Sequence, residues 1–123
     1  MTQEIAPVAK QLSQEQVQQY ADASNDHNPI HIDEAFAAST PFGGTIAHGM
    51  LVLASISEMM AASLGEDWLT SGKLKVRFKA PAKTSDTLST SAAALEDGRY
   101  AVECKNQDGE VLISGTCAVP FYD

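Results

Sequence analysis

The fold of this 123-residue chain is decided by the stretch His48-Gly49-Met50-Leu51-Val52-Leu53-Ala54-Ser55-Ile56-Ser57-Glu58-Met59-Met60-Ala61-Ala62-Ser63-Leu64-Gly65. It contains a single acidic residue, Glu58, and no lysine or arginine. An apolar run of about 17 residues favours a helix over a strand, and Gly65 is typical of the position just after a helix. Since a helix that is apolar nearly all round is buried, we predict a buried central helix whose methionines, Met50 included, fill the core.

Strands are predicted after this helix. Residues 73–80 alternate strictly, which places Leu74, Val76, Phe78 and Ala80 on one face and basic residues on the other. Residues 87–95, 99–106 and 110–119 follow, separated by turn-forming sequences, with Gly115 as a candidate bulge. Consecutive hairpins of this kind predict an antiparallel meander.

The first 45 residues predict shorter elements. Residues 5–12 indicate an edge segment, and Ser13 is placed to cap a helix that Asn25 terminates. Asp33 is placed to cap a second short helix that ends before Pro41. Together these elements predict one α+β domain over residues 1–123, with an antiparallel sheet wrapped around the long central helix. Such a sheet leaves an edge strand, so two copies are expected to pair.

Composition excludes several classes of partner. The net charge of −8 argues against nucleic acid and against an anionic membrane surface. No apolar run reaches the roughly 18 residues of a transmembrane helix. The start of the chain, Met1 to Glu4, lacks the basic and apolar regions of a signal peptide. We therefore expect a cytoplasmic location.

Nucleophilic and phosphate-binding motifs are not apparent. Cys104 and Cys117 have no metal-ligand spacing and fall on predicted strands, remote in sequence from any histidine, so buried reduced thiols are expected. The serines of the central helix are not part of a G-x-S-x-G elbow. No glycine-rich loop of the P-loop or Rossmann kind is present.

The segment Ser24-Asn25-Asp26-His27-Asn28-Pro29-Ile30-His31 carries the groups that proton transfer requires. Pro29 fixes its own φ and pushes Asn28 toward an extended conformation, so Asp26 and His31 are predicted on a rigid loop. A carboxylate, an imidazole and an amide can act as acid, base and orienting group. The alternative is a capped turn between two helices.

His48 and Gly49 form the start of the central helix. The first amides of a helix have no internal partner, and glycine allows a ligand carbonyl to approach closely, as an oxyanion hole requires. Gly49 could equally serve helix–sheet packing, and His48 could be a core or capping residue. A metal site built from Asp26, His31, Asp33 and His48 has no tight ligand spacing, so no metal is predicted.

The segment from Ala23 to His31, followed by Gly44-Thr45-Ile46-Ala47-His48-Gly49-Met50-Leu51, resembles the signature of the MaoC-like (R)-specific enoyl-CoA hydratases and dehydratases. The resemblance implies a hot-dog fold, a homodimer or a pairing of two such domains, and a role in fatty acid metabolism. It implies reversible addition of water to a trans-2-enoyl thioester to give the (R)-3-hydroxyacyl thioester. Coenzyme A or phosphopantetheine would be part of the substrate, and no separate cofactor is implied.

The resemblance also implies roles for individual residues. Asp26 and His31 would hold the attacking water, Asn28 would orient them, and the Gly49 N–H would bond the thioester oxygen. Ser57, nine residues after His48, matches a serine that supports the site. Asn25 replaces the glycine that usually precedes the aspartate, and asparagine tolerates left-handed backbone.

A cationic strip runs along the strand predicted over residues 73–80. The resemblance gives it a role in contacting the phosphates of coenzyme A or of the phosphopantetheine arm. The alternative is a solvated strand face that discourages edge aggregation. The residues of the strip are Lys73, Lys75, Arg77 and Lys79.

Two other functions remain open from the sequence. A non-catalytic or partner-dependent hot-dog subunit of a heteromeric dehydratase, or of a thioester-binding complex, is compatible with the short acidic chain. A thioesterase is the third possibility, and it would release a free thiol.

Overall fold

The central helix packs against a single antiparallel sheet in the computed structural model, which describes residues 3–119. The helices are α1 (Gln14–Ser24), α2 (Pro29–Ile32), α3 (Glu34–Ala38), α4 (Gly49–Leu64) and α5 (Glu66–Ser71). The strands are β1 (Val8–Gln11), β2 (Lys73–Phe78), β3 (Thr87–Ala94), β4 (Tyr100–Lys105) and β5 (Val111–Ala118). Within residues 3–119, every helix is too short or too polar to cross a membrane.

The order of the strands in the sheet is β1-β3-β4-β5-β2. The predicted α+β fold with a central helix is confirmed, and β3, β4 and β5 form the predicted hairpins. The simple meander is wrong, because β2 pairs with β5 and not with β3. The chain after β2 contains Pro81 and forms a bridge between Lys83 and Ile46, and it then enters β3 between β1 and β4 instead of turning back beside β2.

The predicted bulge at Gly115 is also wrong. The register shifts between Cys104 and Lys105, which pair with Ile113 and Val111, so the extra residue is on β5 near the β4–β5 turn. Gly115 itself stays in register between β4 and β2. A Cβ at this position would lie 2.1 Å from the Lys75 carbonyl oxygen, so the close approach of β2 requires glycine here.

Local capping signals predicted the amino-terminal half well. The Ser13 side chain accepts a hydrogen bond from the Gln16 N–H, and Asn25 ends α1 with φ 58°. The Asp33 side chain caps α3. His31, however, lies in the one-turn helix α2 and not in a loop, because Pro29 suits the first helical position and the Asn28 side chain caps it.

The core lies between α4 and the sheet, and it differs from the prediction at two positions. Met59 and Met60 are fully buried, but Met50 is 58% exposed. Phe78 was predicted on the same strand face as Leu74 and Val76, which pack against the core, yet Phe78 is 55% exposed. Its ring lies at the end of β2 and covers Gly49, so it borders a cleft instead of entering the core. Helix α5, which places Trp68 in the core, was not predicted.

Candidate active site

Asp26 lies just beyond the left-handed turn that ends α1. Its N–H donates to the Ala21 carbonyl at 3.1 Å, which continues the hydrogen bonding of the helix end. Its carboxylate accepts from the Asn28 N–H at 3.3 Å. Asp26 is exposed, so the fold presents its carboxylate to solvent while holding its backbone.

His31 is held by two hydrogen bonds. Its Nδ1 lies 2.7 Å from the Ile46 carbonyl oxygen, and because a carbonyl only accepts, we assign the proton to Nδ1. Nε2 is then left as an acceptor. The His31 carbonyl accepts from the Gln14 side chain at 2.9 Å, which ties α2 to α1.

His48 lies between these two residues. Its Nε2 is 2.9 Å from the backbone carbonyl oxygen of Asp26. Its ring stacks on the His31 ring with centroids 3.8 Å apart, and it meets the Tyr20 ring at 4.9 Å. Only 3% of His48 is exposed, and its Nδ1 has no hydrogen-bond partner among the described residues.

The fold brings Asp26, His31 and His48 together, with one ligand atom from each lying within 4.8 Å of the others. These atoms are of types that could bind a metal ion. The two rings are stacked with an interplanar angle of 26°, so their in-plane lone pairs do not converge well on one point. Asp33 instead caps α3. That the site uses no metal stays a prediction.

Gly49 begins α4, so its N–H has no carbonyl partner within the helix. Two clefts meet at Gly49 and His31. One, of about 280 Å³, we call the polar cleft because most side chains along it carry polar groups; its residues are Tyr20, Ser24, Asp26, His31, His48, Gly49 and Met50. The other, of about 360 Å³, is mainly apolar and is lined by His31, Ile46, Ala47, Gly49, Val52, Phe78, Lys79, Ala80, Pro81, Ala82 and Ile113.

Other residues expected in the site are more distant from this junction. The Asn28 side chain accepts from the Ile30 N–H and so holds α2 in place, and Asn28 lines neither cleft. Ser57 accepts a hydrogen bond from the Trp68 indole at 2.9 Å and lines neither cleft. It lies eight residues beyond Gly49, or about 12 Å along α4. The expected contribution of Ser57 stays a prediction.

Three residues of the cationic strip lie on the exposed face of the edge strand β2, and the fourth, Lys79, follows its last residue. Of its four residues, only Lys79 lines a cleft that meets the site. Lys73 lies at the other end of the strand, about 20 Å away at 3.3 Å per residue. None of the four takes part in an ion pair within the described part of the chain.

The cysteines are free and buried, as predicted. Burial raises the pKa of the Cys117 thiol to about 12. Burial also raises the pKa of Cys104, although the nearby Ser55 hydroxyl partly opposes this effect. Thiols held in the neutral form are poor nucleophiles, so acid–base chemistry at Asp26 and His31 suits the structure better.

Several residues of the clefts were missed from the sequence. Tyr20 was not identified from the sequence, and Phe78 was predicted only as one residue of an alternating strand face. Val52 and Ile113 read simply as parts of apolar patterns. Only their arrangement in three dimensions brings them to the clefts, and no local motif marks them.

Comparison with known proteins gives consistent matches. Residues 2–115 match the sequence profile of the family described as MaoC like domain. The chain is 32% identical over 116 residues to the 3-hydroxybutyryl-CoA dehydratase of Methylorubrum extorquens, which covers 89% of this chain and 73% of that protein. It is 30% identical over 121 residues to the (R)-specific enoyl-CoA hydratase of Aeromonas caviae, with 93% and 90% covered.

The solved structure of an (R)-hydratase from A. caviae involved in PHA biosynthesis superimposes with a TM-score of 0.79 at 26% identity. The superposition covers 98% of this chain and 97% of that one. Several further relatives are longer, and this chain spans 60% to 63% of their length.

Proposed function

The chain belongs to the MaoC-like family of hydratases and dehydratases, with a hot-dog fold, and we propose that it hydrates trans-2-enoyl thioesters reversibly to (R)-3-hydroxyacyl thioesters. The substrate would be a thioester of coenzyme A or of an acyl-carrier protein. Names of relatives at 30% and 32% identity support this choice of substrate class.

One observation carries the proposal: the spacing of Asp26 and His31. No hydrogen bond joins the two side chains directly, but a carboxylate oxygen and a ring nitrogen lie within 4.8 Å of each other. If a water lay 2.8 Å from both atoms, the angle at its oxygen between the two partners would be at most about 120°, which suits the geometry of a water molecule. A single water bridging the carboxylate and the imidazole therefore fits this spacing.

The reaction follows from this arrangement. The water oxygen forms a bond to C3 of the enoyl group while one member of the pair accepts its proton. The electron pair of the C2–C3 double bond moves to the thioester oxygen as an enolate, which the Gly49 N–H stabilises. A proton is then delivered to C2, and the hydroxyacyl thioester results. Asp26 and His31 act on the same water, so we assign the two proton transfers to the pair and not to one member each.

We expect different parts of the reacting complex to occupy the two clefts. The apolar cleft suits the acyl chain, and the polar cleft suits the water and the pair that holds it. The thioester carbonyl would lie at their junction, beside Gly49. No electrons are transferred to or from the substrate, so the chemistry requires no redox cofactor.

The experiment that tests this function is the hydration of crotonyl-CoA, followed by the loss of the enoyl-thioester absorbance. The variants Asp26→Asn and His31→Ala should each lower kcat by about 10² to 10⁴, the usual contribution of an acid–base group. If both variants turned over at the wild-type rate, the assignment of the pair would be wrong.

The chain offers a matched control. Asp22 and His27 have the same spacing in sequence as Asp26 and His31 and form an exposed pair at 2.9 Å. Neither residue lines either of the two clefts described above. The variants Asp22→Asn and His27→Ala should therefore keep the wild-type rate. Release of free thiol from crotonyl-CoA would indicate a thioesterase instead.

A partner-dependent subunit is the second candidate function. β2 is an edge strand of the sheet, and the exposed ring of Phe78 at its end borders the apolar cleft. A second copy, or a different hot-dog subunit, could cover both. We propose a homodimer, which sizing of the purified protein tests. An inactive monomer that gains activity only with another subunit would support the heteromeric alternative.

A further inference from the structure

We propose that His48 is a positioning residue that holds Asp26 and His31 in the geometry required to bind one water. This inference rests on the proposed function, since it assigns a residue to the same site. Sequence reasoning left His48 as a core or capping residue. The structure shows no capping hydrogen bond from its side chain.

The first contact of His48 is with the backbone of Asp26. The carbonyl of Asp26 only accepts, so the Nε2 of His48 carries the proton and donates across 2.9 Å. Asp26 is otherwise exposed and follows a left-handed residue, Asn25. The hydrogen bond therefore ties the exposed end of this turn to the start of α4.

The second contact is with the ring of His31. The rings stack at 3.8 Å, and the Nδ1 of His31 is fixed at the same time by the Ile46 carbonyl. A stacked ring on one face and a hydrogen bond at one edge leave the imidazole little freedom to rotate. The direction in which Nε2 of His31 points is thereby set.

The third connection is to Gly49. His48 immediately precedes α4, and its carbonyl accepts from the Leu51 and Val52 N–H groups in the first turn. One residue therefore joins the Asp26 backbone, the His31 ring and the helix end that carries the Gly49 N–H. Displacements of about 1 Å in such an arrangement can lower rates about 10²-fold.

Two substitutions separate positioning from simple core filling. His48→Phe keeps a stacked, buried ring but removes the donor to Asp26. His48→Gln loses the ring, but the Ile46 carbonyl still holds Nδ1 of His31, and the side-chain amide can donate to Asp26 from nearly the position of Nε2. A residue that only fills space would tolerate Phe better than Gln. If His48 positions Asp26 through its N–H donor, His48→Gln should instead be more active than His48→Phe.

The measurement is steady-state hydration of crotonyl-CoA, together with thermal unfolding of each variant. We expect His48→Phe to lower kcat about 10- to 100-fold with KM changed less than threefold. His48→Gln should recover at least a third of the wild-type kcat even if it melts lower. Equal losses in both variants, or greater loss in His48→Gln, would overturn the proposal. His27→Phe and His27→Gln are the matched controls, because His27 is exposed and lines neither cleft.

A measurement on the unaltered protein applies even if the variants fail to fold. Nitrogen-15 NMR of the histidine rings distinguishes the two tautomers. The proposal requires the Nε2–H form at His48 and the Nδ1–H form at His31. The Nδ1–H form at His48 would overturn it.

The positioning role and the proposed function can be refuted independently of each other. Loss of activity in Asp26→Asn and His31→Ala, with full activity in His48→Phe, would refute only the positioning role. No turnover of any enoyl thioester by the unaltered protein would refute the function itself. The NMR result and the thermal stability would be unaffected by that outcome.

Discussion

Replacing Gly49 with alanine should separate stability from activity. The added Cβ would lie 3.2 Å from the nearest carbon of the Phe78 ring, so the ring must move by a few tenths of an ångström. That ring is 55% exposed and lies at the end of β2, so it can move at little cost. Alanine is better than glycine in a helix by up to about 1 kcal/mol. The free energy of unfolding should therefore change by no more than about 1 kcal/mol.

Activity should fall although the fold survives. The N–H of residue 49 remains, but a methyl group now stands where both clefts meet and where the thioester oxygen would approach. Removal of an oxyanion-hole donor costs about 10²- to 10³-fold in rate. A retained but crowded donor should cost less, and we expect kcat/KM to fall about 10- to 100-fold.

The assay compares kcat/KM for crotonyl-CoA with the midpoint of urea unfolding. Gly44→Ala is the matched control, because a Cβ there meets nothing within 4 Å and Gly44 lines neither cleft. A kcat/KM within twofold of wild type in Gly49→Ala would refute the role of this helix end. The role would also be refuted if Gly49→Ala lowered the free energy of unfolding by several kcal/mol, because unfolding would then account for the lost activity.

Three further predictions concern the sheet, the thiols and the carrier. Gly115→Ala should lower the free energy of unfolding by about 3 kcal/mol, since the Cβ would meet the Lys75 carbonyl oxygen at 2.1 Å; urea unfolding measures this, and a loss under 1 kcal/mol would contradict it. Because burial raises the pKa of Cys117 to about 12, its contribution to stability is complete below its unfolded pKa and is lost as pH rises from about 9 to 12. Denaturation midpoints that stay constant over that range would argue against the burial of this thiol. Replacing both Arg77 and Lys79 with glutamine should raise KM for crotonyl-CoA about 3- to 10-fold but leave KM for crotonyl-pantetheine unchanged; equal effects on both substrates would exclude phosphate contacts.

Local signals predicted much of the fold. Helix α4 follows from a long apolar run, and the ends of α1 and α3 follow from capping residues such as Ser13 and Asp33. Each of these signals involves residues within a few positions of each other. The position of β2 does not, since its pairing with β5 joins segments far apart in sequence. The order of β3, β4 and β5 was therefore predicted correctly, and only the position of β2 was wrong.

The candidate site shows the same division. Asp26, His31 and Gly49 were identified from short motifs, and the structure places His31 and Gly49 where the two clefts meet, with Asp26 along the polar cleft. His48 could not be given a role from the sequence, because its role depends on a contact with a backbone carbonyl 22 positions earlier. The exposure of Phe78 could not be predicted for a related reason. Alternation predicts the face of a strand, but not whether that face is covered at the end of the strand.

The most direct test of the account is a double-mutant cycle on Asp26 and His31, measured as kcat for crotonyl-CoA hydration. If the two side chains hold the same water, removing either one should abolish most of the increase in kcat that the pair provides. The double variant Asp26→Asn/His31→Ala should then be no more than about tenfold slower than the slower single variant. Losses that multiply, so that the double variant shows the product of the two single effects, would contradict a shared water.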